Sequence, residues 1–149
     1  MKNVFLLFIF LVAGCTSTTS HTTSTFSEPM AIIKAAVDSA PKGVPGQYTL
    51  KIVATGSQGK YVYLNTEKDY RDQRAITVAL HPKVIEQLSA KHGVPPQEYF
   101  VNKAILVNGK AQRVKIAFLS DGKPSGKYYY QTHIRVLDIS QLKVVDEHA

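Results

Sequence analysis

Three groups of side chains in this 149-residue chain have the chemistry to bind or to react. The first is a short charged loop holding Asp69, Arg71, Asp72 and Arg74. Its carboxylates can pair with Arg71, Arg74 or Lys68 and order the loop, although exposed pairs contribute only about 0–1 kcal/mol each. The second is the histidines His81, His92 and His133. No two of them are four residues apart, and a zinc site needs three or four converging ligands. The reading is therefore surface or loop histidines, with no metal and no cofactor. The third group alternates at period two: Lys60, Tyr61 and Tyr63 in one segment, and Lys127, Tyr129, Gln131, His133 and Arg135 in another, with Arg71 between them. Tyrosines flanked by cations suit a single-strand nucleic-acid groove, where stacking contributes roughly 1–3 kcal/mol per base. They equally suit a sugar platform or a protein hot spot, which favours Tyr and Arg. Tyrosine is also simply a good residue for a half-exposed strand. No catalytic motif is legible, so the expectation is binding without catalysis.

These residues need strands to align them. Residues 48–54, 60–65 and 75–80 read as three strands, with Val62, Leu64, Ile76, Val78 and Leu80 facing a core and Tyr61 and Tyr63 facing out. Gly56-Ser57-Gln58-Gly59 reads as a tight turn between the first two. Pro82 suits the first turn of a helix, Val84, Ile85 and Leu88 give it an apolar stripe, and Gly93 suits its C-cap. Residues 104–107 form another strand. Asn108-Gly109 is a strong hairpin signal leading to a partner at 112–118. Residues 120–126 read as a polar loop. The last long strand, 128–138, places Thr132, Ile134 and Val136 on one face and Tyr129, Gln131, His133 and Arg135 on the other.

The amino-terminal part has a different composition. Lys2 is followed by an apolar run at 4–13, too short to span a bilayer, which takes roughly 20 residues. A positive start, a short apolar stretch and small residues at its end read as an export signal that is removed. Residues 16–27 are nearly all Ser and Thr and read as a flexible tether. Residues 31–40 carry Ile32, Ile33, Ala36 and Val37 at helical spacing, and read either as a helix packed on the domain or as part of the tether. The expected organisation is thus a signal at 1–14, a tether at 15–46 and one domain at 47–149. The formal net charge is +7. That excess suits anionic partners: nucleic acid, lipid headgroups, acidic glycans or an acidic protein. It is also compatible with a merely soluble surface.

Val12-Ala13-Gly14-Cys15 resembles the lipobox of bacterial lipoproteins. The resemblance implies cleavage before Cys15, a diacylglyceryl group on its sulfur and acylation of the new amino terminus. Thr16, where an Asp would favour inner-membrane retention, implies the outer membrane, facing the periplasm. The order of three strands, a helix and two or three strands is that of an OB-fold: a mainly β, five-stranded Greek-key barrel with one helix between strands three and four. Residues 59–72 resemble the "Leu-Asn … Asp-Tyr" stretch of exported bacterial OB-fold proteins. Residues 102–110 are similar to the "Gly-Lys-x-Ile-x-Val-x-Gly" strand of tRNA- and helicase-type OB domains, with Asn102 in place of the usual Gly. A small open β-sandwich is the competing fold.

The expected function is that of a lipid-anchored periplasmic module binding an envelope protein or glycan on the outward barrel face. The membrane is engaged through the Cys15 lipid. A single-stranded nucleic-acid binder is the second reading, which the compartment disfavours. The third follows from the OB-type nucleases, which use carboxylates, a calcium ion and arginines on phosphate: a metal-dependent phosphodiesterase using Asp69 and Asp72. The chain lacks that family's full set of residues at its spacing.

Overall fold

A computed structural model describes residues 27–145. The expected export signal, Cys15 and residues 16–26 of the expected tether lie outside them. No described helix is long and apolar enough to cross a membrane.

The protein is mainly β, built on one mixed sheet. Helix α1 (Pro29–Asp38) precedes strands β1 (Val44–Lys51), β2 (Ala54–Gln58), β3 (Tyr61–Asn65) and β4 (Ile76–Leu80). Helices α2 (Pro82–His92) and α3 (Pro96–Tyr99) follow, then β5 (Ala104–Ser120), β6 (Lys123–Val136), a single 3-10 turn (Ile139–Gln141) and β7 (Leu142–Val145). The strands pair in the order β1-β5-β6-β4-β3-β2, with β7 also on β5. All pairs are antiparallel except β4 with β6.

Seven strands stand where five were expected. The first expected strand is broken at Ile52–Val53, because its two halves serve different partners. The Ile52 N–H donates to the Lys103 carbonyl at 2.9 Å, toward β5, while the Val53 N–H donates to the Asn65 carbonyl at 2.8 Å, toward β3. The other addition is β7, on the edge of β5. The two ends of the pairing order, β1 and β2, are therefore joined by two residues of chain.

The Asn108–Gly109 hairpin does not form. Both residues are extended inside β5 and pair with Gln47 and Gly46 of β1. A Cβ on Gly109 would lie 2.7 Å from Ile134 Cγ2, so the glycine is there for close packing of β6 against β5. The real hairpin turn is Asp121–Gly122, with φ of 51° and 75°, inside the stretch expected to be a loop. Two successive positive-φ residues make the turn type that matches strand twist.

Inside the sheet lie Leu50, Ile52, Leu64, Ile76, Val78, Leu80, Ile105, Val107, Ile134 and Val136, all essentially buried. Helix α2 closes one end with Val84 and Leu88. The His81 ring accepts the Lys83 N–H at its start, Pro82 occupies the first turn, and Gly93 ends it in the left-handed region at φ 73°. Helix α1 adds Ile32 and Ala36 to the same core, and the Ser27 N–H donates to the Thr49 carbonyl of β1. The described fold thus includes chain upstream of Gln47.

Candidate functional site

The outward face of the sheet is shaped by what β4 lacks. Strand β4 carries Thr77 and Ala79 outward, both small, between taller neighbours on β3 and β6. The register sets Tyr63 against Ala79 and Ala79 against Arg135, and Asn65 against Thr77 and Thr77 against His133. Short residues between tall ones leave a cleft. It measures about 300 Å³ and is walled by Tyr63, Tyr70, Tyr129, Gln131 and His133, with Thr77 at its floor. The Tyr63 and His133 rings stand 6.2 Å apart across it. A second cleft of about 380 Å³ shares Tyr63, Ile116 and His133 and adds Tyr61, His81 and Arg135. Lys60 lies 5.8 Å from the centre of the Tyr61 ring at the margin.

A hydrogen-bonded chain fixes the deeper wall. Gln131 is buried; its Nε2 donates to the Tyr70 carbonyl at 2.9 Å and to the Tyr129 hydroxyl at 3.1 Å. Its Oε1 lies 2.6 Å from His133 Nε2. An amide oxygen only accepts, so the His133 proton sits on Nε2 and Nδ1 is left as an acceptor. Burial, reinforced by nearby Arg135, lowers the His133 pKa to about 4, so the ring is neutral at neutral pH. Burial likewise pushes the Tyr129 hydroxyl up, which keeps it protonated. The wall is polar, uncharged and already in place.

The charged loop forms the rim. Arg71 Nε and Nη2 fork onto Asp69 at 3.0 and 3.1 Å, and Arg74 Nε and Nη2 fork onto Asp72 at 3.1 and 2.8 Å. Each arginine's own backbone N–H adds a bond to the same carboxylate at 2.9 Å. The side-chain bond from Arg71 holds Asp69 below the usual carboxylate range, and that from Arg74 lowers Asp72 to about 2. All four carboxylate oxygens are engaged, so the loop is ordered by its own charges. No group of three metal-ligating side chains is found among the described residues.

Of the residues expected at the site, Tyr61, Tyr63, Tyr129, Gln131, His133 and Arg135 line the two adjoining clefts. Gln131 and His133 are wall rather than display, being largely covered. Arg71 sits over the Tyr70 ring at 5.7 Å and faces a third groove, beside α1. Lys127 lies apart, on the distal part of the β5–β6 hairpin. Tyr70 was missed because only the Gln131 bond places it. Tyr128 and Tyr130 were missed because alternation with Thr132 and Ile134 assigns them to the core side. That side has no core so far out: they are 50% and 41% exposed. Arg113 and Lys115 stand beside them, 3.6 Å from the Tyr130 ring and 4.0 Å from the Tyr128 ring.

No family model and no curated protein matches the chain. Among solved structures it is similar to a chain described as an aspartyl-tRNA synthetase of Leishmania major Friedlin, with 11% identity and a TM-score of 0.42, over 89% of this chain and 22% of that one. It is also similar to an aspartyl tRNA synthetase from Entamoeba histolytica, with 15% identity and a TM-score of 0.47, over 97% of this chain and 28% of that one. The chain spans about a quarter of the length of either.

Proposed function

We propose that this protein is a non-enzymatic binding module, anchored by lipid at Cys15 to the outer membrane and facing the periplasm. An envelope protein or glycan inserts between Tyr63 and Tyr129. The fold under this reading is an OB-like barrel. Strands β1 and β2 serve as two halves of one bent strand, α2 lies between its third and fourth strands, and β4 and β6 supply the parallel contact. What carries the reading is the pair of adjoining clefts over Thr77 and Ala79, walled by four tyrosines and a neutral histidine. A preformed recess of mixed polarity, with Arg135 at one end, holds a sugar ring or an aromatic side chain. The engaged carboxylates of Asp69 and Asp72 argue for a rim, not for phosphodiester chemistry.

The test is photo-crosslinking in intact cells, with the crosslinker at position 63. A discrete protein adduct, lost when Tyr129 and Arg135 are replaced by alanine, is the expected result for a protein partner. Export to the envelope with no protein adduct shifts the occupant to a glycan. Adducts unchanged by the cleft substitutions overturn the reading.

A single-stranded nucleic-acid binder is the second reading. The cation-over-tyrosine pairs at Arg113–Tyr130 and Lys115–Tyr128 favour it. Its signature is oligonucleotide affinity that falls steeply with salt as counterions are released.

A further inference from the structure

The β5–β6 hairpin outruns the rest of the sheet. Strand β1 follows β5 only to Ala111, and β4 follows β6 only to Thr132. Beyond these points two strands run on alone to the Asp121–Gly122 turn, with a free edge on either side. Segment 113–130 holds four cations, Arg113, Lys115, Lys123 and Lys127, against the single carboxylate Asp121. None of the four is in an ion pair among the described residues. Near the turn, Phe118 and Leu119 are 42% and 63% exposed. Where the arm meets the body, Met30, Ile33 and Val37 of α1 line a groove of about 590 Å³ with Arg113, Tyr128 and Tyr130.

We propose that the arm and the outward stripe of α1 lie on an anionic lipid bilayer. Phe118 and Leu119 enter the headgroup boundary, the tyrosines sit at the interface, and the four cations meet lipid phosphates. Three observations choose this occupant. The charge is four cations to one carboxylate, with none of the cations in an ion pair among the described residues, so an anionic surface is attracted, whereas a second copy of the arm would bring four cations against four. Leu119, Met30 and Val37 have neither a stacking face nor a hydrogen-bonding group, so they gain little from nucleic acid but lose water contact in an interface. Tyrosine, apolar in its ring and polar at its tip, is enriched at that depth. The position agrees: the described chain begins at residue 27, and Met30, three residues on, lines the groove. Under the anchored reading, the chain from Cys15 joins α1, whose Met30, Ile33 and Val37 line this groove. This last point rests on the anchored reading above; the charge and the exposed apolar tip do not.

The chain has no tryptophan, so one introduced residue reports alone. The full chain carrying Leu119→Trp is added to vesicles of phosphatidylcholine, with or without phosphatidylglycerol, containing spin-labelled lipid. Val94→Trp, at an exposed site between α2 and α3, is the control. The expected result is a blue shift and quenching for Leu119→Trp in the anionic vesicles, and neither for Val94→Trp. Combining Leu119→Trp with Lys115→Glu and Lys127→Glu weakens the contact by about fivefold or more per cation removed. Thermal unfolding of that variant confirms that it is folded. Equal quenching at both positions, or none at Leu119→Trp in anionic vesicles, overturns the proposal. So does shielding of the Leu119→Trp reporter by a single-stranded oligonucleotide where vesicles give none. Co-sedimentation with pure phosphatidylcholine vesicles reports the anchor separately. Its loss, with arm quenching kept in anionic vesicles, removes the anchored reading and leaves the arm proposal standing.

Discussion

The cleft and the arm are built from the same strand, yet they are opposite kinds of surface. In the cleft, β6 runs over a filled core. Ile134 and Val136 anchor one face of the strand, and the other face carries His133 and Gln131 in fixed hydrogen bonds. On the arm, the same strand has no core under it; at its base Tyr129 still belongs to the cleft wall, and beyond that the strand is displayed. There Tyr128 and Tyr130 are covered only in part, by the cations beside them. Strand alternation sorts residues into inside and outside only where an inside exists. A cleft over a core is preorganised and suits a shaped ligand; an arm beyond it is displayed and suits a broad, charged one.

The comparison breaks most directly through the core. Ile134→Ala removes a fully buried side chain beneath the cleft and is expected to cost about 2–5 kcal/mol in denaturant unfolding. If it costs no more than an arm substitution, the two regions do not differ as described. Acid sharpens the contrast. The folded pKa of His133 is about 4, below the ordinary 6.5, so the unfolded chain binds a proton that the folded protein refuses. The stability due to the neutral ring is complete above pH 6.5 and is lost as pH falls toward 4, by about 3 kcal/mol. His133→Gln flattens that part of the stability–pH curve, and an unchanged slope in the variant would refute the assignment. The smallest effect belongs to the arm: Phe118→Ser with Leu119→Ser shifts stability by less than about 0.5 kcal/mol, as exposed positions do. A larger loss in the same unfolding experiment would mean that the arm is packed in solution.

Much of the frame was legible. Val62 and Leu64, Ile76, Val78 and Leu80, and Ile134 and Val136 alternate over a buried face, and α2 declares itself by Pro82, its apolar stripe and Gly93. Of the cleft's tyrosines, Tyr61, Tyr63 and Tyr129 followed from the same alternation and Tyr70 did not. The rest depended on partners distant in sequence. Nothing local marks Ile52–Val53 as a break, since both are ordinary strand residues; the break exists because Lys103 and Asn65 wait on different sides. Asn108–Gly109 has the composition of a turn, but its glycine answers to Ile134. The expected strands 112–118 and 128–138 already cover most of the arm; what was hidden is that no core lies beneath it, because that depends on where β1 and β4 stop, at Ala111 and Thr132.

The join at Ile52–Val53 also sets an order of events. Chain emerges from its amino terminus, and β2, β3 and β4 are neighbours in sequence that pair as soon as they are made. Strand β1 precedes them, but its partner in β5 lies more than fifty residues downstream, from Lys51 to Ala104. Until that partner arrives, the apolar side of β1, with Tyr48 and Leu50, stays open in a chain otherwise ready to collapse. Distant pairings close late and leave such edges prone to aggregate. The seam that completes the sheet is thus where nascent chains of this protein most need a chaperone.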